Sequence, residues 1–195
     1  VSFDYKINDL KFHINGLVPK DICNYFINFY EDHNKYAVSE NSYKYQTKKI
    51  EEDNYNCINL SECVFQNNGF LKPLELAKRY INIMITNYVF YLKRTICPTF
   101  NKYLISNSSN IRILKYDKGQ FIKDHTDVGN LTRASCTLNL NEDYEGGEFR
   151  FFDGKIKHNL KTGDSMLFPA EPIWIHGTEP IKKGTRYSIN CFLHQ

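Results

Sequence analysis

The sequence has no C-x-x-C pair, no long apolar run and no dense block of one charge, and each absence argues against a class of protein. Its six cysteines, Cys23, Cys57, Cys63, Cys97, Cys136 and Cys191, are scattered, which argues against a zinc ribbon. An even count allows three bridges, but a chain of 195 residues can bury a core without covalent staples, so free thiols are expected. No stretch approaches the roughly 20 apolar residues of a bilayer-spanning helix. Lys and Arg number 25 against 22 Asp and Glu, a formal net charge of +3 spread in both signs along the chain. That bias is too weak to announce a nucleic-acid partner. Internal repeats and linkers are also missing, so residues 1–195 read as a single domain.

The chain begins at Val1 rather than Met, which reads as a trimmed N-terminus. The compartment is therefore left open between cytoplasm and endoplasmic reticulum lumen. Three N-x-S/T sequons, at Asn59, Asn107 and Asn130, are expected by chance in a chain this rich in asparagine.

Aromatic side chains are abundant, with 14 Tyr and 14 Phe, and are expected to supply much of the core. "NGLVPKDICNYFINFYEDH" predicts an amphipathic helix entered through Pro19, with Ile22, Tyr25, Phe26, Phe29 and Tyr30 at helical spacing. "KPLELAKRYINIMITNYVFYLKRTICP" predicts a longer one from about Pro73 to about Ile96, ended by Pro98. Leu76, Tyr80, Ile83, Met84, Tyr88 and Tyr91 line one side of it. Between them, residues 34–70 are polar and read as loops with one or two short strands. With Tyr36, Tyr43, Tyr45 and Tyr55, this stretch is a candidate lid over an extended ligand.

After residue 110 the period changes. "NIRILKYD", "RASCTLNL", "GEFRFF", "DSMLFP" and "RYSINCFL" are short alternating or apolar runs separated by "DKG", "EDYEGG", "FDGK" and "KTGD". Short strands joined by glycine turns predict an antiparallel sandwich or barrel, and helices before strands make the chain α+β.

The chemistry starts at "QFIKDHTDVGN", where His125 and Asp127 stand two residues apart. On a strand such a pair points to one face, although an H-x-D triplet by itself is close to noise. A third ligand would have to come from His33, His158, His176 or His194. His176 stands out because it follows the strand-like run "DSMLFPAEPIWIHG" and precedes Arg186 by ten residues. Two histidines and a carboxylate on one face form the triad that holds non-haem Fe(II) with open coordination positions. Arg186 could then bind the far carboxylate of a chelated 2-oxoglutarate. Ser188, on the same face, and Tyr116, on a neighbouring strand, could add hydrogen bonds. Bland readings serve the other residues. Asp124, His158 and His194 are expected at the surface and Glu148 at a strand edge, with Cys136, Cys191 and Trp174 in the packing.

Tyr116, Gly119, Phe121, His125 and Asp127 in "YDKGQFIKDHTD" resemble the iron-binding signature of the prolyl 4-hydroxylase-like 2-oxoglutarate/Fe(II) dioxygenases. The resemblance continues through "TLNLNEDYEGGEFRF" and "TGDSMLFP" to "HGTEPIKKGTRYSINCFL", covering about residues 111–194. It implies a double-stranded β-helix (jelly-roll) barrel over residues 111–195, with 1–110 as helical support and lid. It makes His125, Asp127 and His176 the iron ligands and Arg186 the co-substrate anchor. It implies Fe(II), 2-oxoglutarate and dioxygen as cofactor and co-substrates, with ascorbate as an auxiliary. Collagen-type members commonly carry lysine where this chain has Arg186, so activity transfers more firmly than substrate.

The expected reaction is hydroxylation of prolyl residues in a protein or peptide, with release of succinate and carbon dioxide. A free amino acid or other small molecule is the alternative substrate. Nucleic-acid demethylases of the AlkB type carry a second arginine soon after the first, and "YSINCFLHQ" after Arg186 has none. A structural zinc site or a jelly-roll binding module is the non-enzyme reading, and leaves Arg186 and Ser188 without a task.

Overall fold

The computed structural model describes residues 6–40, 54–100, 105–129 and 131–195. Strand β1 (Phe12–Ile14) leads into helix α1 (Lys20–Asp32), capped by Pro19 at φ −57°. That is the φ the proline ring already imposes, so the helix starts there at little cost. Cys23, Phe26, Phe29 and Tyr30 form its buried face, while Ile22 and Tyr25 flank it.

Strands β2 (Val38–Glu40) and β3 (Tyr55–Asn59) pair antiparallel. The segment between them, with Tyr43 and Tyr45 of the expected lid, lies outside the described residues. Helix α2 (Leu60–Cys63) follows β3 directly, and the Asn59 side chain accepts a hydrogen bond from the Ser61 amide at 3.1 Å. Helix α3 (Leu71–Thr95) buries Leu74, Ala77, Ile81, Met84, Tyr88 and Leu92. The buried face is thus turned from the expected stripe. Met84 and Tyr88 belong to both, whereas Leu76, Tyr80, Ile83 and Tyr91 lie half-buried. Tyrosine hydroxyls explain part of the turn: Tyr88 and Tyr91 donate to the carbonyls of Leu10 and Asp9 at 2.8 and 2.7 Å. A ring with one polar end settles at the rim of a core.

The remaining strands are β4 (Asn107–Tyr116), β5 (Ala134–Asn139), β6 (Glu145–Gly146), β7 (Phe149–Phe151), β8 (Ile156–His158), β9 (Ser165–Pro169), β10 (His176–Thr178), β11 (Ile181–Lys183) and β12 (Arg186–His194). The large sheet runs β1-β9-β5-β12-β4-β3-β2, and smaller sheets run β10-β7-β8 and β11-β6. Every pairing is antiparallel. This is the expected jelly roll, with β2 and β3 as the short strands expected in residues 34–70; the one amendment to its outline is β1, ahead of the first helix, which joins the sheet edge. Strands of three residues carry too little alternation to stand out in a sequence.

Alternation along the long strands separates two interiors. Tyr187, Ile189, Cys191 and Leu193 of β12 join the helices and the outer face of the sheet in one core. Arg186, Ser188, Asn190 and Phe192 turn to the other side and line a cavity. Side chains two apart on a strand share a face, which is why one strand serves both. Phe149, Phe151, Met166, Phe168 and Trp174 form a second apolar cluster beside the cavity. None of the six cysteines is in a disulfide, and Cys97 alone is exposed. No helix among the described residues is long and apolar enough to cross a membrane.

Candidate active site

The cavity has a volume of about 150 Å³, and Tyr116, His125, Asp127, His176, Arg186 and Ser188 all line it. Every site residue expected from the sequence is therefore in one place.

His125 sits on a short extended segment whose backbone pairs with His176 at the start of β10, with N–O distances of 2.9 Å in both directions. This bridge sets the two imidazoles 4.3 Å apart, centroid to centroid. One ligand atom from each of His125, Asp127 and His176 lies within 4.8 Å of the others. Nε2 of His125 is 3.3 Å from Asp127 Oδ1, and Nε2 of His176 is 3.3 Å from Oδ2. The opposite ring nitrogens face main-chain carbonyls: His125 Nδ1 lies 2.8 Å from Lys123 O and His176 Nδ1 lies 2.9 Å from Trp174 O. A carbonyl only accepts, so each Nδ1 carries a proton, and in the neutral ring each Nε2 is left with its lone pair.

Two lone pairs thus converge on a carboxylate, a set of acceptors that a cation would balance. Ligand number, mixed N/O chemistry and carbonyl support of both histidines fit a non-haem Fe(II) site. Burial alone would raise the Asp127 carboxyl, but with no cation between them the two imidazoles in their protonated form outweigh it and hold the group well below the usual carboxylate range. Ser135 of β5 donates its hydroxyl to Asp127 Oδ2.

Arg186 stands at the first residue of β12, opposite Tyr116 at the end of β4. It is 2% exposed. Its Nε donates to Asn139 Oδ1 at 3.2 Å, and its guanidinium carbon lies 5.3 Å from the centre of the Tyr116 ring. Asn139 is in turn held through its amide nitrogen by the carbonyls of Asn141 and Leu160, at 2.6 and 3.0 Å. A guanidinium braced at Nε keeps its outer nitrogens for a planar anion.

The glycine pair in "EGGEF" makes room for this arrangement. Gly146 and Gly147 have φ of 82° and 69°. A Cβ on Gly146 would come within 2.3 Å of Pro180 O, and one on Gly147 within 2.5 Å of Ile181 Cδ1 and 3.3 Å of Arg186 Cδ.

Several residues depart from their bland readings. Asp124 is no free surface charge: Arg150 Nε donates to its Oδ1 at 2.9 Å, tying the residue before His125 to β7. His158 is partly covered, with Lys11 Nζ 2.5 Å from its Nε2. Trp174 keeps its packing role, 2% exposed beside Phe151 and Phe168. The sequence reading missed Ser135, Asn139, Arg112 and Asn190. Their signal was a polar residue at every second position of otherwise apolar strands, as in "ASCTLN" and "RYSINCF".

Residues 111–194 match the model of the 2OG-Fe(II) oxygenase superfamily. That stretch of the chain is similar to the superfamily. A PKHD-type hydroxylase of Xylella fastidiosa strain M12 is 30% identical over 102 residues, 48% of this chain and 42% of the relative. One from strain M23 is 30% identical over 125 residues, 57% of this chain and 52% of the relative. The chain thus spans about half the length of these curated relatives.

Solved structures share the fold along nearly its whole length. A Trichoplax adhaerens prolyl hydroxylase, in complex with a hypoxia inducible factor peptide fragment, superposes with a TM-score of 0.64 at 15% identity. That match covers 95% of this chain and 84% of the other. A Pseudomonas putida prolyl-4-hydroxylase gives 0.62 at 16% identity, covering 95% and 93%.

Proposed function

We propose that this chain hydroxylates prolyl residues in a protein or peptide, consuming 2-oxoglutarate and releasing succinate and carbon dioxide. One observation carries the reading: a His-Asp-His ligand set and a braced, buried guanidinium line the same cavity. A structural zinc site would use the first and leave the second idle.

In this reading residues 1–110 support the catalytic core formed by residues 111–195. His125, Asp127 and His176 hold Fe(II). Bound there, the metal supplies the oxidative decarboxylation of 2-oxoglutarate by dioxygen and the oxidation of a substrate C–H bond. Ser135 orients the Asp127 carboxylate, and the carbonyls of Lys123 and Trp174 fix both imidazoles in the ligating tautomer. Arg186 takes the distal carboxylate of 2-oxoglutarate, with Ser188 and Tyr116 lining the same cavity. Phe149 stacks against His176 at 5.6 Å, and Phe168 meets its edge at 4.7 Å. These rings keep water from one side of the ligand set.

The preference for a prolyl peptide is supported by relatives called hydroxylases and by fold neighbours that are prolyl hydroxylases, one of them bound to a peptide. The test is succinate formation from 2-oxoglutarate with Fe(II) and ascorbate, with and without proline-rich peptides, beside His125→Ala. Peptide-stimulated succinate, a gain of one oxygen in the peptide and loss of both in the variant are expected. Stimulation by free proline but by no peptide would move the substrate to the small-molecule class. No succinate at all would overturn the oxygenase reading.

A further inference from the structure

We propose that Arg112 and Asn190 form a subsite that reads a main-chain amide of the substrate beside the residue being oxidised. The inference names how the peptide of the previous subsection would be recognised, and it rests on that reading.

Arg112 of β4 and Asn190 of β12 are cross-strand partners, and both line the cavity. Arg112 is 8% exposed. Its Nη1 donates to Glu40 Oε2 at 3.0 Å, and its guanidinium carbon lies 5.3 Å from the centre of the Phe192 ring. The group is anchored on two sides, yet Nε has no acceptor, and Asn190 Oδ1 across the ladder has no donor. Buried polar atoms are rarely left unpaired, because each gives up its water without return. One missing acceptor and one missing donor at the same register point to a ligand that brings both.

Charge narrows the ligand further. Glu40 balances Arg112, so no surplus positive charge remains to draw a carboxylate, and the Asn190 oxygen would repel one. An ammonium group would meet the guanidinium. A neutral group with one C=O and one N–H fits, and the peptide bond is that group. Within a polypeptide proline has no N–H, so the donor comes from the residue that follows it.

Position agrees. Ser135, which bonds Asp127, pairs in register with Phe192, whose ring lies against Arg112. The subsite therefore adjoins the metal-ligand end of the cavity. Arg186 stands four residues away along β12, about 13 Å at ordinary strand rise. Two buried arginines divide the cavity, one facing the co-substrate carboxylate and the other the substrate backbone. A free amino acid, charged at both ends, is selected against.

The experiment uses ligand-observed NMR on the chain loaded with Zn(II) in place of Fe(II) and with 2-oxoglutarate present. The probes are acetyl-Pro-Ala-methylamide, its analogue with an ester in place of the Pro-Ala amide, and free proline. The amide is expected to bind about tenfold or more tighter than the ester, since one hydrogen bond in a buried site is lost, and proline not measurably. Asn190→Ala should bring the amide-to-ester ratio close to one. Arg112→Met combined with Glu40→Gln, which leaves no unpaired charge, should weaken the amide by about tenfold or more while thermal stability and 2-oxoglutarate binding hold.

Equal binding of amide and ester, full affinity in the Arg112 variant, or no binding by any amide probe would overturn the subsite. The matched amide and ester built on acetyl-Ala-Ala separate the two proposals. If that pair shows the same preference and the Fe(II) enzyme adds no oxygen to prolyl peptides, the subsite stands and the prolyl reading falls.

Discussion

Asp127 is held from a neighbouring strand: the Ser135 hydroxyl, eight residues along the chain, donates to its Oδ2. The carboxylate therefore keeps its orientation whether or not its own loop is pinned. Ser135→Ala should raise the Fe(II) concentration needed for half-maximal succinate formation by about tenfold or more, the usual scale for losing a partner of a metal ligand. Saturating Fe(II) should restore most of the rate. An unchanged iron dependence would remove Ser135 from the site.

Arg186→Lys retains the charge and loses the fork. The Nε bond to Asn139 and the face on Tyr116 both depend on the planar guanidinium. The apparent KM for 2-oxoglutarate should rise by about tenfold or more, as expected for one charge-assisted hydrogen bond, and Arg186→Ala should exceed that. Iron affinity should stay put, and a calorimetric titration of each ligand separates the two effects.

Gly147→Ala places a methyl group against Ile181 and Arg186 at a backbone angle that disfavours any side chain. A cost of about 1–3 kcal/mol is expected from the conformation alone. The melting temperature should fall, and 2-oxoglutarate affinity should fall with it because Arg186 Cδ must move. Gly154→Ala is the control, with φ 77° but only the end of Lys157 nearby. It should lower stability and leave affinity intact.

Acid should loosen the edge where β1 meets the barrel. Burial, then the charges of Lys11 and His13, depress His158 from 6.5 to about 4. Its stability contribution is complete above pH 6.5, where the imidazole is neutral folded or unfolded. As pH falls from 6.5 towards 4 the unfolded chain takes up a proton that the folded chain refuses, and stability declines. His158→Gln should flatten that part of the melting profile. An identical slope in the variant would assign the loss to other groups.

The C-terminal half was legible because its motifs are tied to spacing. His125 and Asp127 stand two residues apart in the sequence, and Arg186 follows His176 at a distance set by one turn and one strand. The N-terminal half was less so. Three-residue strands such as "FHI" and "VSE" show no period, and their place at the sheet edge is decided by partners β9 and β3. The α3 face was misjudged because tyrosines count as apolar in a pattern but sit with their hydroxyls at the core boundary. Arg112 was read past as one residue of an apolar strand. Its meaning depends on Glu40 and Asn190, 72 and 78 positions away, and no local pattern joins them.

Strand β12 lies between β5 and β4, which do not pair with each other. It follows both in the chain, so the two halves of the large sheet are joined only when it inserts. Before that moment Arg186 has neither Asn139 nor Tyr116, and Phe192 has no place against Ser135. Such distant pairings close slowly because the loop entropy comes first and the contacts later. A partly folded chain would therefore have no grip on its co-substrate, and adding 2-oxoglutarate and metal during refolding should raise the yield of native protein without hastening the early steps.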